Sequence, residues 1–169
     1  MRNAVRKVLI ATSGRVEWRV CRGFFLLIVW MGIPFIPASA GIRPARPTIE
    51  LKINNFSIEA ECAETSDSRK QGLMNRHTLA ENRGMLFVFP GSNRHCMWMH
   101  NTRMPLSVAF LAGDGTIINI AEMRPETENG HCAVKAVQYA LEMNSGWFAR
   151  RGIAAGEKIE GIEKAPHGR

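Results

Sequence analysis

The sequence predicts a mainly β domain, a small antiparallel β-barrel or sandwich with two short helices. Three observations point there. Short apolar or alternating runs recur from Thr48 to Ile162, among them "TIELKI", "FSIEAEC", "LSVAFLA" and "TIINIAEM". Alternation with a period of two is the pattern of a half-buried strand. The runs are joined by turn residues, "NN" at Asn54 and Asn55 and "GDG" at Gly113 to Gly115, which favour antiparallel neighbours over a parallel sheet. Only two stretches carry helix punctuation, and both are short.

Taken in order, "TIELKI" and "FSIEAEC" form a hairpin, since Asn tolerates the left-handed conformation that a two-residue turn needs. "TSDSRKQGLM" opens with Thr65 or Ser66 as a helix N-cap and stops at Gly72. "GMLFVFP" is a buried strand ended by Pro90, and "HCMWMHN", "LSVAFLA" and "TIINIAEM" continue the strands. "RPETENGH" is a polar loop. "VQYALEM" is a strand leading into "NSGWFARRG", a short helix capped by Asn144 or Ser145 and closed by Gly152. "EKIEGI" is a last edge strand, giving eight or so strands in all. No internal repeat or low-complexity tract interrupts the pattern.

The first forty residues read differently. "MRNAVRKVLIATSGRVEWRVCRG" carries six Lys or Arg against one acid, Glu17, and is followed by thirteen uncharged residues, Phe24 to Ile36, and by "PASA". A basic region, an apolar region and small residues at Ala38 and Ala40 make a secretory signal, with cleavage expected after Ala40. Thirteen residues would span only about 20 Å as a helix against a hydrocarbon core of roughly 30 Å, which disfavours an uncleaved anchor. The organisation expected is a signal peptide over 1–40, a mobile leader over 41–47, one domain over 48–163 and a tail over 164–169. The mature protein is then periplasmic or secreted, and meets a membrane only through the signal before its removal.

That division changes the charge argument. The whole chain is +7, but from Gly41 onward 16 Lys and Arg face 14 Asp and Glu, a net of +2. The excess positive charge belongs largely to the signal, so no nucleic-acid partner is expected.

The succession "RKQGLMNRHTL", "GMLFVF", "MWMHNTRMPLSVAFL", "DGTIINI" and "YALEMNSGWFARRGI" is similar to the domain-of-unknown-function 192 family. The family pattern of GLM, GMLF, a W-M-K-N-T-like turn with P-L, and E-L-N-x-G falls on Gly72 to Met74, Gly84 to Phe87, Trp98 to Thr102 with Pro105 and Leu106, and Glu142 to Gly146. His100 replaces the usual lysine, and Ser107 replaces an aspartate found in many members. The resemblance implies a compact β-rich fold and no particular activity.

The densest chemistry lies in "HCMWMHN". As a strand it sends His95, Met97 and Met99 to one side and Cys96, Trp98 and His100 to the other. Thioether and imidazole suit Cu(I). His95, Met97 and Met99 could share an ion only on an exposed face, which would leave Cys96 and Trp98 inward, so no cofactor is expected and copper is the alternative. Cys96 and Cys132 are a candidate disulfide for an oxidising compartment, with Cys62 as the buried free thiol, although spacing leaves Cys62 open as a partner.

The strongest polar constellation is the turn "MHNTRMP" with the "LEMN" junction. Trp98, His100, Asn101, Thr102, Arg103, Glu142 and Asn144 form the candidate ligand-binding set, with Trp147 on the rim and Arg76 and Arg83 adding positive charge. Asn101 and Thr102 have a plainer role in setting a turn, and Asn144 in capping a helix. Ser107, His100 and Glu122 could be drawn as a triad, but Ser107 lacks the strained turn that exposes a nucleophile. Glu59, Glu61 and Glu142 are candidates for paired-carboxylate chemistry, but Glu59 and Glu61 alternate with apolar residues and more simply form a solvated strand face. The functional expectation is an exported accessory protein that binds a small ligand or an envelope protein. A periplasmic Cu(I)-binding protein and an enzyme acting on envelope polysaccharide are the rivals.

Overall fold

The computed structural model describes residues 46–169. The proposed signal, its cleavage position after Ala40 and most of the leader lie outside the described residues. Arg46 and Pro47, expected to be mobile, are tied in. The Pro47 carbonyl accepts from the Cys62 N–H at 2.7 Å, and the Arg46 guanidinium donates to the Gly72 carbonyl and to Gln71 Oε1, each at 3.1 Å.

The protein is mainly β. Six strands form one sheet: β1 (Thr48–Ile53), β2 (Phe56–Ala63), β3 (Arg83–Asn93), β5 (Leu106–Leu111), β6 (Ile117–Met123) and β8 (Val137–Asn144). Their order is β1-β2-β3-β8-β5-β6, while β4 (Cys96–Met97) and β7 (His131–Cys132) pair separately as a two-stranded ribbon. The hairpin of β1 and β2 turns at Asn54, whose φ of 51° is the left-handed conformation expected there.

Helix α1 (Ser66–Gln71) is capped by Thr65 in a capping box with Ser68, and Gly72 ends it, as the sequence predicts. α1 and the loop after it carry the chain from β2 to β3, which therefore pair in parallel. That one parallel pair makes the sheet mixed, since β8 lies between β3 and β5 antiparallel to both.

The predicted strand ended by Pro90 runs on to Asn93, with its ladder to β8 broken between Val88 and Asn93. A proline has no N–H to give the ladder, and the break absorbs it. The second helix is a single 3-10 turn, Ala149–Arg151, closed by Gly152 at φ 68°. Asn144 does not cap it: the turn begins later in the chain, with Phe148 at its N-cap and no side-chain cap, and the Asn144 amide donates to the Leu79 and Ala80 carbonyls at 3.0 and 3.1 Å.

No closed barrel forms among the described residues. The segment after Gly156 reaches towards both sheet edges: Ile117 N–H donates to the Glu157 carbonyl at 2.8 Å, and Lys52 N–H to the Glu160 carbonyl at 3.0 Å. The predicted edge strand "EKIEGI" makes only the isolated bridges Lys52–Glu160 and Thr116–Lys158.

Both faces of the sheet are buried. Ile58, Leu86, Ala109 and Leu141 on one face lie under Trp147, Phe148, Ile153 and Ile159. Met85, Phe87, Val108, Phe110 and Ala140 on the other lie under Leu73, Met97, Met99, Met104 and Ala133. The β4–β7 ribbon belongs to this second cover, and Cys96 and Cys132 face each other across it in a disulfide. Cys62 is the buried free thiol, its pKa pushed up to about 11 chiefly by burial.

Two outcomes follow from this packing. The Cys96–Cys132 bridge joins positions 36 apart, so replacing both by Ser lowers the unfolding free energy by about 3–4 kcal/mol in urea titration. A Cβ at Gly84 would sit 2.7 Å from the Glu142 carbonyl oxygen, whereas one at Gly91 meets nothing within 4 Å. Gly84→Ala therefore destabilises by about 1–3 kcal/mol, and Gly91→Ala changes stability by less than about 0.5 kcal/mol.

Candidate functional site

The segment "HCMWMHNT" alternates as predicted, and the side that faces inward is the one carrying Met97 and Met99. Met97 and Met99 are buried, whereas Cys96 is exposed and Trp98 is 51% exposed. Alternation defines two faces without saying which meets the core. Here the thioethers face the sheet, and the disulfide and the indole lie outside. His95 stacks on Phe89 at 3.7 Å between ring centroids, with its Nε2 3.1 Å from the Gly91 carbonyl oxygen. Met97 and Met99, two of the three residues of the copper alternative, are packed in the core on this face of the sheet.

The turn that follows is compact. Asn101 has φ 52°, its carbonyl accepts from Asn75 N–H at 2.9 Å, and Thr102 is buried. These bonds place Thr102 beside the Gly72–Met74 segment that follows α1.

Beneath this turn is a narrow cleft of about 20 Å³, lined by residues 69–74 and by Phe87, Met97, Trp98, Thr102 and Glu142. That volume admits about one water-sized group. Glu142 lies on β8 in register with Met85 of β3 and Val108 of β5, so its side chain rises from the middle of the sheet into apolar surroundings. It is 3% exposed. No protein group among the described residues donates to it or pairs with it. Burial raises its pKa to about 8, so the carboxyl is protonated at neutral pH.

Of the predicted ligand set, Trp98, Thr102 and Glu142 line this cleft. His100 lies behind Trp98, with centroids 5.1 Å apart, and its Nδ1 is 2.8 Å from Glu128. Asn101 shapes the turn, Asn144 ties down the Leu79–Ala80 loop, and exposed Arg103 is not among the lining residues. Trp147 is fully buried on the opposite face of the sheet and is no part of a rim.

Arg76 and Arg83 do not lend charge to the turn, because they pair with Glu61 at 2.6 Å and Glu59 at 2.7 Å. The Arg76 guanidinium holds the Glu61 carboxyl below its usual range. Together with Arg46, Arg169 and Glu64, this pair lines a wider basin of about 970 Å³, which shares Gln71, Gly72 and Met74 with the cleft.

The drawn triad does not assemble. Ser107 donates to Glu122 at 2.6 Å and accepts from Gly146 N–H at 2.7 Å, but it is fully buried and His100 is committed to Glu128.

Sequence reasoning missed Arg69, Lys70, Leu73, Met74 and Phe87 as lining residues. Leu73, Met74 and Phe87 lie in the GLM and GMLF stretches, so convergence of those stretches was the available signal. Nothing local marked the two cations.

Glu142 gives a testable pH dependence. Between the ordinary value of 4.5 and the raised value of about 8, the folded state holds one proton more than the unfolded chain. Stability therefore falls as pH rises through that window, by about 1.4 kcal/mol per pH unit from this group. Urea titrations at pH 5 and pH 8 detect the slope, and Glu142→Gln removes this group's share of it.

Comparison with known proteins sets these motifs in a family. Similar solved structures include a candidate transcription regulator from Sinorhizobium meliloti 1021, 32% identical, with a TM-score of 0.68, the match covering 70% of this chain and 96% of that one. A protein of unknown function from Novosphingobium aromaticivorans DSM 12444 is 30% identical, with a TM-score of 0.66 and coverage of 73% and 89%. No curated protein matches the chain. The family model described as "Uncharacterized ACR" matches residues 49–161, and the chain belongs to this domain-of-unknown-function 192 family.

Proposed function

We propose that the chain is an exported, periplasmic binding protein that receives the tip of a small ligand, or of a group on an envelope partner, in the Glu142 cleft. The observation that carries this reading is a carboxyl held without a partner on the apolar face of the sheet, at the wall of an open cleft. Burying such a group costs several kcal/mol of potential stability, and an apolar side chain in its place would pack without that cost. A group that weakens the fold while reaching a cavity has its rationale in recognition.

The surrounding residues support the same reading. Residues of the family pattern, Gly72 to Met74, Phe87, Trp98, Thr102 and Glu142, meet around one small space. Trp98 stands 51% exposed beside it, an aromatic surface to which the body of a ligand can hold. Export is supported by the basic segment, the apolar run and Ala38 and Ala40 at the positions preceding Gly41.

Trp98 fluorescence against a panel of small polar compounds tests the proposal, with Glu142→Leu and Trp98→Ala alongside. Glu142→Leu is expected to raise the melting temperature at pH 8 while losing the ligand response, and Trp98→Ala to weaken binding with little loss of stability. A ligand bound equally well by wild type and both variants would place the site elsewhere.

A further inference from the structure

The sign of the ligand's charge follows from what surrounds Glu142. β3 contributes Met85 and Phe87 around this residue, β5 contributes Val108, and the segment from β4 contributes Met97, Trp98 and Thr102. None of these is charged. The charged side chains that share the cleft with Glu142 are Arg69 and Lys70 of α1. Arg69 donates to the Glu64 and Val88 carbonyls at 2.6 and 2.9 Å, so no acid cancels its charge. Lys70 is exposed and pairs with no acid among the described residues. His100, behind Trp98, is paired with Glu128.

Resting on the binding reading above, we propose that the cleft recognises a carboxylate borne on a ring. One carboxylate oxygen enters beside Glu142 and Thr102, Lys70 and Arg69 supply the countercharge, and the ring lies on Trp98. The dimensions suit this division, because about 20 Å³ takes one oxygen and no ring. The Trp98 ring is stacked on His100 with an interplanar angle of 20° and leaves indole surface open to a flat partner.

A protonated carboxyl donates to a carboxylate oxygen in a charge-assisted hydrogen bond. An ionised one would repel it. Binding therefore keeps the proton on Glu142, and affinity is lost as that group ionises. A cationic ligand would instead drive the proton off, and its affinity would rise with pH. The two signs are opposite, so the pH dependence decides between them.

A uronate sugar and an aromatic acid share this chemistry. The test is calorimetric titration of the protein with glucuronate and benzoate, against glucose and benzamide as neutral counterparts and benzylammonium and Ag(I) as cations. The expected result is that a carboxylate binds at least tenfold more tightly than its neutral counterpart. Its affinity then falls about tenfold per pH unit once Glu142 ionises, above about pH 8. Preference for glucuronate identifies a saccharide ligand, and preference for benzoate an aromatic acid.

Lys70→Gln weakens binding several-fold. Glu142→Gln, which keeps a donor, retains binding and loses the pH dependence. Affinity that rises with pH, or preference for benzylammonium or Ag(I), overturns the carboxylate inference and leaves the binding reading standing. Absence of binding in every arm overturns both.

Discussion

A carboxyl group buried at the centre of an apolar sheet face is the constraint around which the molecule is organised. Glu142 sits on the strand with neighbours on both sides, opposite Met85 and Val108. The β4–β7 ribbon and the turn after it close over that face of the sheet. Ionised, the group would carry an unpaired charge into a low dielectric, a cost of several kcal/mol. Holding the proton lowers that cost and turns an acceptor into a donor. The cleft, the pH dependence of stability and the sign of the proposed ligand all derive from this one placement.

The fold reaches that arrangement through non-local connections. The crossover containing α1 makes β2 and β3 parallel and delivers the Arg69–Met74 segment to one side of the cleft. The ribbon delivers Met97 and Trp98 to another, with the Cys96–Cys132 disulfide fastening its two short strands. A two-stranded ribbon this short has little stability of its own. Its hold comes from the bridge on the outside and the methionines on the inside. The segment after Gly156, bonded near both sheet edges, covers the opposite face with Ile159 and Ile162.

What the sequence disclosed follows the range of the interactions involved. The hairpin at Asn54–Asn55, the Thr65 cap, the Gly72 and Gly152 stops and the Gly113–Gly115 turn are set by local backbone preferences, and all are present. The Cys96–Cys132 pairing was legible only as a candidate, since three cysteines leave Cys62 open as a partner, and the register of β4 against β7 decides it. Which side of "HCMWMHN" faces inward was not, because alternation fixes two faces and only tertiary packing chooses between them. Asn144 is not a cap because the 3-10 turn begins only at Ala149, and its amide instead reaches Leu79 and Ala80, distant in sequence. Glu142 was visible as a member of a polar constellation. Its burial was not, since that depends on β8 lying between β3 and β5. Arg69 and Lys70 join the site through the crossover, which no local pattern announces.

The most direct measurement is the titration of the Glu142 side-chain carboxyl itself, followed by carbon-13 NMR of labelled protein and assigned by its loss in Glu142→Gln. The account predicts a transition near pH 8 in the folded protein. A transition near the ordinary value of 4.5 would mean that the group is solvated or paired, and would contradict it.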